Sequence, residues 1–225
     1  MLRGVFITGT DTKVGKTIVA AALMHRFRAA GGVRYWKPIQ TGIEQDDDTA
    51  TVGRIGSCRE DELFRQGVRL PRPVSPHLAA KWDGTRLSIS GLIQRIPPDS
   101  GAHRWIVEGA GGVLVPISES EMMIDLMICL SMPVLVVARS ALGTINHTLM
   151  TLETLRRRDL QIAGVVMVGE RNSDNREAIT RYGGVDVLGE MPLFPSLTPE
   201  IVGDWAKTEL DTANRLLQAN GGGLV

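Results

Sequence analysis

A chain of 225 residues, 43% hydrophobic and 22% charged, is long enough to bury one full α/β core. Its 25 basic and 25 acidic side chains cancel, which excludes the basic excess of a nucleic-acid binder and the basic helix face of a membrane-surface protein. Two cysteines, Cys58 and Cys129, and four scattered histidines give neither a disulfide framework nor zinc-ligand spacing. The expected partners are small molecules.

The opening MLRGVFITGT runs directly into a strand and carries no signal-peptide apolar region. No apolar run approaches the roughly 18 residues of a membrane span, so a cytoplasmic protein is expected. Short, continuous apolar segments predict strands at residues 4–8, 33–38, 105–108, 134–138, 163–168 and 186–188. Helical patterns occupy residues 16–30, 49–55, 76–82, 89–95, 123–130, 144–158, 173–181 and 198–219. Ser75 followed by Pro76 supplies an N-cap and a first-turn proline for the third helix. Cys129 lies in the apolar stretch 122–130 and is expected in the core. The alternation predicts an α/β fold: a mostly parallel β-sheet flanked by helices on both faces, in a single domain spanning 1–225. The Gly-rich tail, 219–225, is expected to be flexible.

Gly9-Thr10-Asp11-Thr12-Lys13-Val14-Gly15-Lys16-Thr17 lies between the first strand and the first helix. Glycine allows the tight turn that points successive backbone N–H groups inward, and the helix start adds partial positive charge. This is the pattern of a phosphate-binding loop, with Lys16 directed at the β- and γ-phosphates and the Thr17 hydroxyl at Mg²⁺. Asp11, Thr12, Lys13, Val14, Gly15, Lys16 and Thr17 are therefore the expected nucleotide contacts, Lys13 through its amide with its side chain exposed. Five residues separate Gly9 from Gly15, one more than the ordinary spacing. A plain strand–turn–helix connection is the bland alternative, and Gly15-Lys16-Thr17 in this context outweighs it. The fold is thus of P-loop NTPase type.

Four further segments narrow the chemistry: Lys37-Pro38-Ile39-Gln40-Thr41-Gly42, Asp46-Asp47-Asp48-Thr49, Glu108-Gly109-Ala110-Gly111-Gly112 and Leu142-Gly143-Thr144-Ile145-Asn146-His147. All should emerge beyond the carboxyl ends of strands, where open α/β sheets bind ligands. Lys37 is either an exposed strand-end lysine or a second cation facing the phosphates, and its place beside the loop strand favours the second. Glu108 closes a short apolar strand, where a buried carboxylate without a cation would be costly, so it is a metal-ligand candidate with Thr17. Three adjacent aspartates ordinarily mean a solvated loop or a helix N-cap.

Together with GTDTKVGKT, these segments resemble the dethiobiotin synthetase family, from Thr8 to about residue 168. Ser75-Pro76-His77 and Gly189-Glu190-Met191-Pro192 are similar to shorter family segments. The family's loop has the same long glycine spacing. The resemblance implies a ligase that joins 7,8-diaminononanoate, CO₂ and ATP with Mg²⁺ to give dethiobiotin, ADP and phosphate. A carbamate forms first, ATP converts it to a carbamic–phosphoric anhydride, and the second amine closes the ring. It implies that Thr12, Lys37 and Thr41 face the carbamate and γ-phosphate beside Lys16, and that Gly111 and Gly112 approach substrate. It implies one metal ligand in the acidic triplet; the phase of Asp-Thr-Ala-Thr-Val points to Asp48, with Asp47 the alternative. Gly143, Thr144, Ile145 and Asn146, at a helix start, would take the substrate carboxylate across a homodimer interface, although Asn146 and His147 alone read as local helix caps.

The family's base-reading Asn is absent from the segment Val166–Glu170, and Asn172 follows a few residues later. Backbone at Val168 and Gly169, or the turn Pro192, Leu193 and Phe194, would then contact the base, and triphosphates other than ATP become admissible. Partition and septum-site ATPases carry a signature lysine where this chain has Asp11. Cobyrinate-type amidating synthetases carry an appended glutamine amidotransferase domain, for which 225 residues leave no room. A binding-only module would not need Lys16, Thr17, Lys37 and Glu108 together.

Overall fold

The computed structural model describes residues 2–98, 101 and 103–218. Among the described residues nine strands run β1 (Arg3–Gly9), β2 (Val33–Trp36), β3 (Ile39–Thr41), β4 (Leu63–Phe64), β5 (Val68–Leu70), β6 (Arg104–Gly112), β7 (Val134–Arg139), β8 (Ile162–Val168) and β9 (Val187–Met191). The helices are α1 (Lys16–Arg28), α2 (Asp48–Ile55), α3 (Pro76–Asp83), α4 (Ile89–Ile93), α5 (Met123–Leu130), α6 (Thr144–Arg156), α7 (Ser173–Gly183), α8 (Pro199–Thr208) and α9 (Arg215–Gln218). Seven strands form one parallel sheet in the order β4-β2-β6-β1-β7-β8-β9, and β3 pairs with β5 in a small parallel sheet of its own.

Alternation along the strands divides the core into two. Val5 and Ile7 of β1 and Leu135 and Val137 of β7 pack with α1, α8 and α9; Phe6, Val134 and Val136 pack with α5 and α6 on the other face. Both faces are covered, which explains the uninterrupted apolar strands. With β1 central and every strand parallel, the loop after β1 and the ends of β2, β6, β7 and β8 open on one edge.

The expected strand at 33–38 splits in two. Pro38 has no N–H for a ladder, and its carbonyl instead accepts from the Val68 amide at 2.8 Å, starting the β3–β5 sheet that sequence periodicity missed. β6 continues past the predicted end at Glu108 to Gly112, which pairs with Gly9 after a register shift. The predicted helix 198–219 stops at Thr208. There Asp211 turns left-handed (φ 47°), its amide donates to the Leu188 carbonyl at 2.7 Å, and its carboxylate accepts from the Arg215 and Leu216 amides, capping α9. Residue 219 and the expected flexible tail lie outside the described residues.

Cys129 is exposed, contrary to expectation. Met123, Ile124, Leu126, Met127 and Leu130 fill the buried stripe of α5, and helical phase turns Cys129 outward with Ile128. Ser75 and Pro76 open α3 as predicted, although the Ser75 side chain makes no capping bond. No helix among the described residues is long and apolar enough to cross a membrane.

Candidate active site

The loop between β1 and α1 is held by its own polar groups. Gly15 caps α1 in a left-handed conformation (φ 100°), and a Cβ there would meet the Val168 methyls at 3.1 Å. Lys13 is also left-handed (φ 57°), and its side chain is exposed as expected. Lys16 is buried, and its Nζ donates to the Asp11 carbonyl at 2.9 Å. Burial, and then the charge of Lys37, pull the Lys16 ammonium down to about 8, against the opposing pull of Glu108, Asp48 and Asp11. The Asp11 carboxylate accepts from the Thr12 amide at 2.7 Å and pairs with Arg139 at the end of β7. Val14 is buried in the α1-side core.

Beside the loop, four of the predicted residues converge with one that was not predicted. The Thr17 hydroxyl lies 2.8 Å from Asp48 Oδ1 and 3.1 Å from Glu108 Oε1. Lys37 Nζ donates to Asp48 Oδ2 at 2.6 Å, to Glu108 Oε1 at 2.8 Å and to the Gly109 carbonyl at 3.1 Å. Tyr35 donates its hydroxyl to Glu108 Oε2 at 2.8 Å. Lys37 and Glu108 are 3% and 1% exposed, so Lys37 is not the exposed strand-end lysine of the alternative reading. Burial alone would lower the Lys37 ammonium, but Glu108 and Asp48 outweigh it and raise it. Burial alone would raise the Asp48 carboxyl, yet Lys37, Thr17 and Lys16 together hold it below the ordinary range. The expectation aimed Lys37 at phosphate; here it lies between two carboxylates, the counter-charge that a buried ammonium requires.

The acidic triplet separates by role. Asp47 caps α2, accepting from the Ala50 amide at 3.0 Å, and Asp48 reaches Thr17. Gln40 supports this arrangement, donating to the carbonyls of Thr41 (3.1 Å) and Asp46 (3.2 Å). The Thr17 hydroxyl with the Asp48 and Glu108 carboxylates forms a set of hard oxygens suited to a divalent cation. Among the described residues no cluster of three or more His, Cys, Asp or Glu offers a different metal centre.

The remaining predicted residues flank this centre. Thr41 is half-buried at the end of β3. Gly111 is left-handed (φ 67°), and a Cβ there would lie 3.7 Å from Thr12 Oγ1, so the glycine run of β6 faces the loop; a Cβ on Gly112 would meet the Gly9 carbonyl at 3.2 Å. Gly143 (φ 92°) starts α6, with Thr144 buried, Ile145 half-buried and Asn146 exposed. These helix-start residues are not partners of the Thr17 network within the chain.

On the far side, Asn172 Oδ1 accepts from the Asn175 amide at 2.9 Å and caps α7. The Gly169 amide, expected as a base contact, donates to the Met191 carbonyl at 2.9 Å, and the Val168 carbonyl accepts from Ser140 at 2.7 Å. Sheet pairing at strand ends takes these groups. Pro192 and Phe194 are half-buried and Leu193 is exposed, so the turn after β9 remains open to a ligand.

Sequence reasoning missed Tyr35, Gln40 and Arg139. Arg139 left a readable signal, a charge closing the apolar run Val134–Ala138 next to the loop strand. Tyr35 left only its spacing, two residues before Lys37.

The family model described as AAA domain matches residues 3–201. The ATP-dependent dethiobiotin synthetase BioD of Paramagnetospirillum magneticum is 51% identical over 197 residues, covering 88% of this chain and 91% of that protein. The protein of the same name from a Bradyrhizobium species is 42% identical, with the same coverage of 88% and 91%. The biotin biosynthesis bifunctional protein BioCD of Bordetella avium is 42% identical over 97% of this chain, which spans 45% of that protein. Among solved structures, a ParA family ATPase from Chlorobium tepidum aligns with TM-score 0.58 at 9% identity, over 91% of this chain and 98% of that one. The MinC:MinD cell division protein complex of Aquifex aeolicus aligns with TM-score 0.55 at 15% identity, over 99% of this chain and 97% of that one. At such identities these two matches speak for the fold alone.

Proposed function

The chain belongs to the dethiobiotin synthetase family, and from that premise we propose that it carries out ATP-dependent formation of dethiobiotin in biotin biosynthesis. The observation that carries the reading is the meeting of Thr17, Lys37, Asp48 and Glu108 beside Lys16 and the loop. Five polar groups on four separate segments meet at the strand edge where a triphosphate's terminal phosphate would lie.

In this reading one amine of 7,8-diaminononanoate adds to CO₂ as a carbamate. A carbamate oxygen takes the γ-phosphoryl group and ADP leaves; the second amine then attacks the carbonyl carbon, expelling phosphate and losing a proton as the ring closes. The chain's task is to position these groups and to stabilise negative charge. Lys16 and the loop amides hold the β- and γ-phosphates. Lys37, Thr12 and Thr41 face the carbamate, and the Lys37 ammonium can exchange a carboxylate for a carbamate oxygen without leaving its cluster. Thr17, Asp48 and Glu108 would hold Mg²⁺, which would supply positive charge against the phosphates. The glycine run with Gly111 and Gly112 admits substrate close to the backbone, and the turn at Pro192, Leu193 and Phe194 borders the base.

The substrate carboxylate is assigned to the helix start at Gly143, Thr144, Ile145 and Asn146, offered by a second copy of the chain. Supporting this, Leu142 just before α6 is fully exposed and Met150 on α6 is 60% exposed, an apolar cost that a homodimer interface would remove.

Mass spectrometry of purified protein with diaminononanoate, bicarbonate, Mg²⁺ and ATP tests the reading. Dethiobiotin that requires every component is the expected result. Diamine-independent hydrolysis without product would replace it with a switch ATPase, and neither activity would leave a binding module.

A further inference from the structure

We infer that Tyr35 is a positioning residue for this reaction, its phenol fixing the Glu108 carboxylate so that Oε1 faces the Thr17 hydroxyl. The inference rests on the reading of Thr17, Asp48 and Glu108 as cation-holding oxygens. A carboxylate at the end of a Glu side chain turns through a broad terminal torsion, and an oxygen that must meet a small cation cannot be left to wander. At Glu108 the two oxygens are held apart in role. Oε1 lies 3.1 Å from Thr17 Oγ1 and 2.8 Å from Lys37 Nζ, while Oε2 receives the Tyr35 hydroxyl at 2.8 Å.

Strand geometry sets this arrangement. β2 lies beside β6 in parallel register, with Tyr35 opposite Ile106 and Trp36 opposite Val107. Tyr35 and Lys37, two residues apart, therefore reach the same carboxylate from the neighbouring strand segment, one to each oxygen. Lys37 also holds Asp48 and the Gly109 carbonyl, so its ammonium has other partners to serve. Tyr35 is fully buried and packs in the α1-side core, where a phenylalanine would fill the same space. The hydroxyl is therefore accounted for by the carboxylate it meets, as expected of a group behind a metal ligand. Tyr35 touches neither phosphate nor substrate in this assignment and acts through Glu108.

The test replaces Tyr35→Phe and measures Mn²⁺ binding, as a paramagnetic substitute for Mg²⁺, from the free-ion signal in the presence of saturating ADP. Glu108→Gln and the double variant are measured beside it. Binding about tenfold weaker in Tyr35→Phe, the lower range for a group that holds a metal ligand in place, is expected, with ADP affinity in chelator unchanged and kcat reduced at constant KM for the diamine. In the Glu108→Gln background the same change should add no further loss. Mn²⁺ affinity unchanged in Tyr35→Phe but weakened in Glu108→Gln overturns the role of Tyr35 and leaves the cation site standing. Affinity unchanged in Glu108→Gln overturns the cation site itself. A purely structural tyrosine would lower the melting temperature and leave the Mn²⁺ isotherm where it was.

Discussion

At the phosphate end of the sheet charged side chains meet one another, whereas beyond β8 and β9 they hold the fold together. Thr17, Tyr35, Lys37, Asp48 and Glu108 arrive from β2 and the turn after it, β6 and two helix starts and converge within hydrogen-bonding reach, while Lys16 beside them donates to the Asp11 carbonyl. On the far side Asn172 caps α7, Glu190 pairs with Arg176, and the Gly169 amide is taken by the sheet. A triphosphate changes charge where it reacts, and preorganised charge must be waiting there. In the proposed reading the nucleobase undergoes no reaction and is seated by shape with a few backbone groups.

The contrast is tested most severely by removing its cations. Lys16→Ala and Lys37→Ala should each lower kcat by at least the ~10²–10³ typical of losing one preorganised donor, read from steady-state dethiobiotin formation. Lys37→Ala should also lower stability by about 3–5 kcal/mol, since it leaves two buried carboxylates without their counter-charge. Denaturant unfolding at matched pH separates the two effects. Near-native turnover in either variant would mean that the phosphate end is built for stability, as the base end is.

Within the acidic triplet the same contrast appears over one residue. Asp48→Asn should raise the Mg²⁺ concentration at half-maximal rate about tenfold or more, on the scale of lost metal-site partners. Asp47→Ala should leave that concentration in place and cost about 1 kcal/mol of stability for a lost N-cap. A magnesium titration and an unfolding curve on each variant decide it. Reversed outcomes would move the ligand to Asp47.

The sequence carried the phosphate end well because its signals are local or fall at strand ends. The loop is contiguous, Glu108 terminates an apolar run, and Asp48 is in phase with the helix it opens. Tyr35 was illegible because its meaning lies across strands: a tyrosine in an apolar strand reads as core until its neighbour proves to be a carboxylate. The β3–β5 sheet pairs two three-residue strands separated in sequence by α2 and β4, each too short to show a period. Cys129 was misplaced because a nearly continuous apolar stretch hides the helical phase that decides which residues face out. The predicted final helix failed on one interaction, the Asp211 amide pairing with Leu188, a competitor 23 residues away in sequence.

The smallest expected effect lies at the base end and is the most specific to it. Asn172 is the first side-chain amide after the end of β8, and its carbonyl is engaged with the Asn175 amide. Asn172→Ala should therefore cost about 1 kcal/mol of stability, the ordinary value of a lost N-cap, with the KM for ATP within about twofold of the parent. If side-chain recognition of the base is absent, CTP should replace ATP with a loss in kcat/KM far below the ~10⁴-fold discrimination that a site built to hydrogen-bond one base achieves. Both are measured in the same dethiobiotin assay with each triphosphate. A large rise in KM for ATP in Asn172→Ala, with CTP unaffected, would mean that the cap is exchanged for the base on binding, and the two ends of the sheet would then work by the same rule.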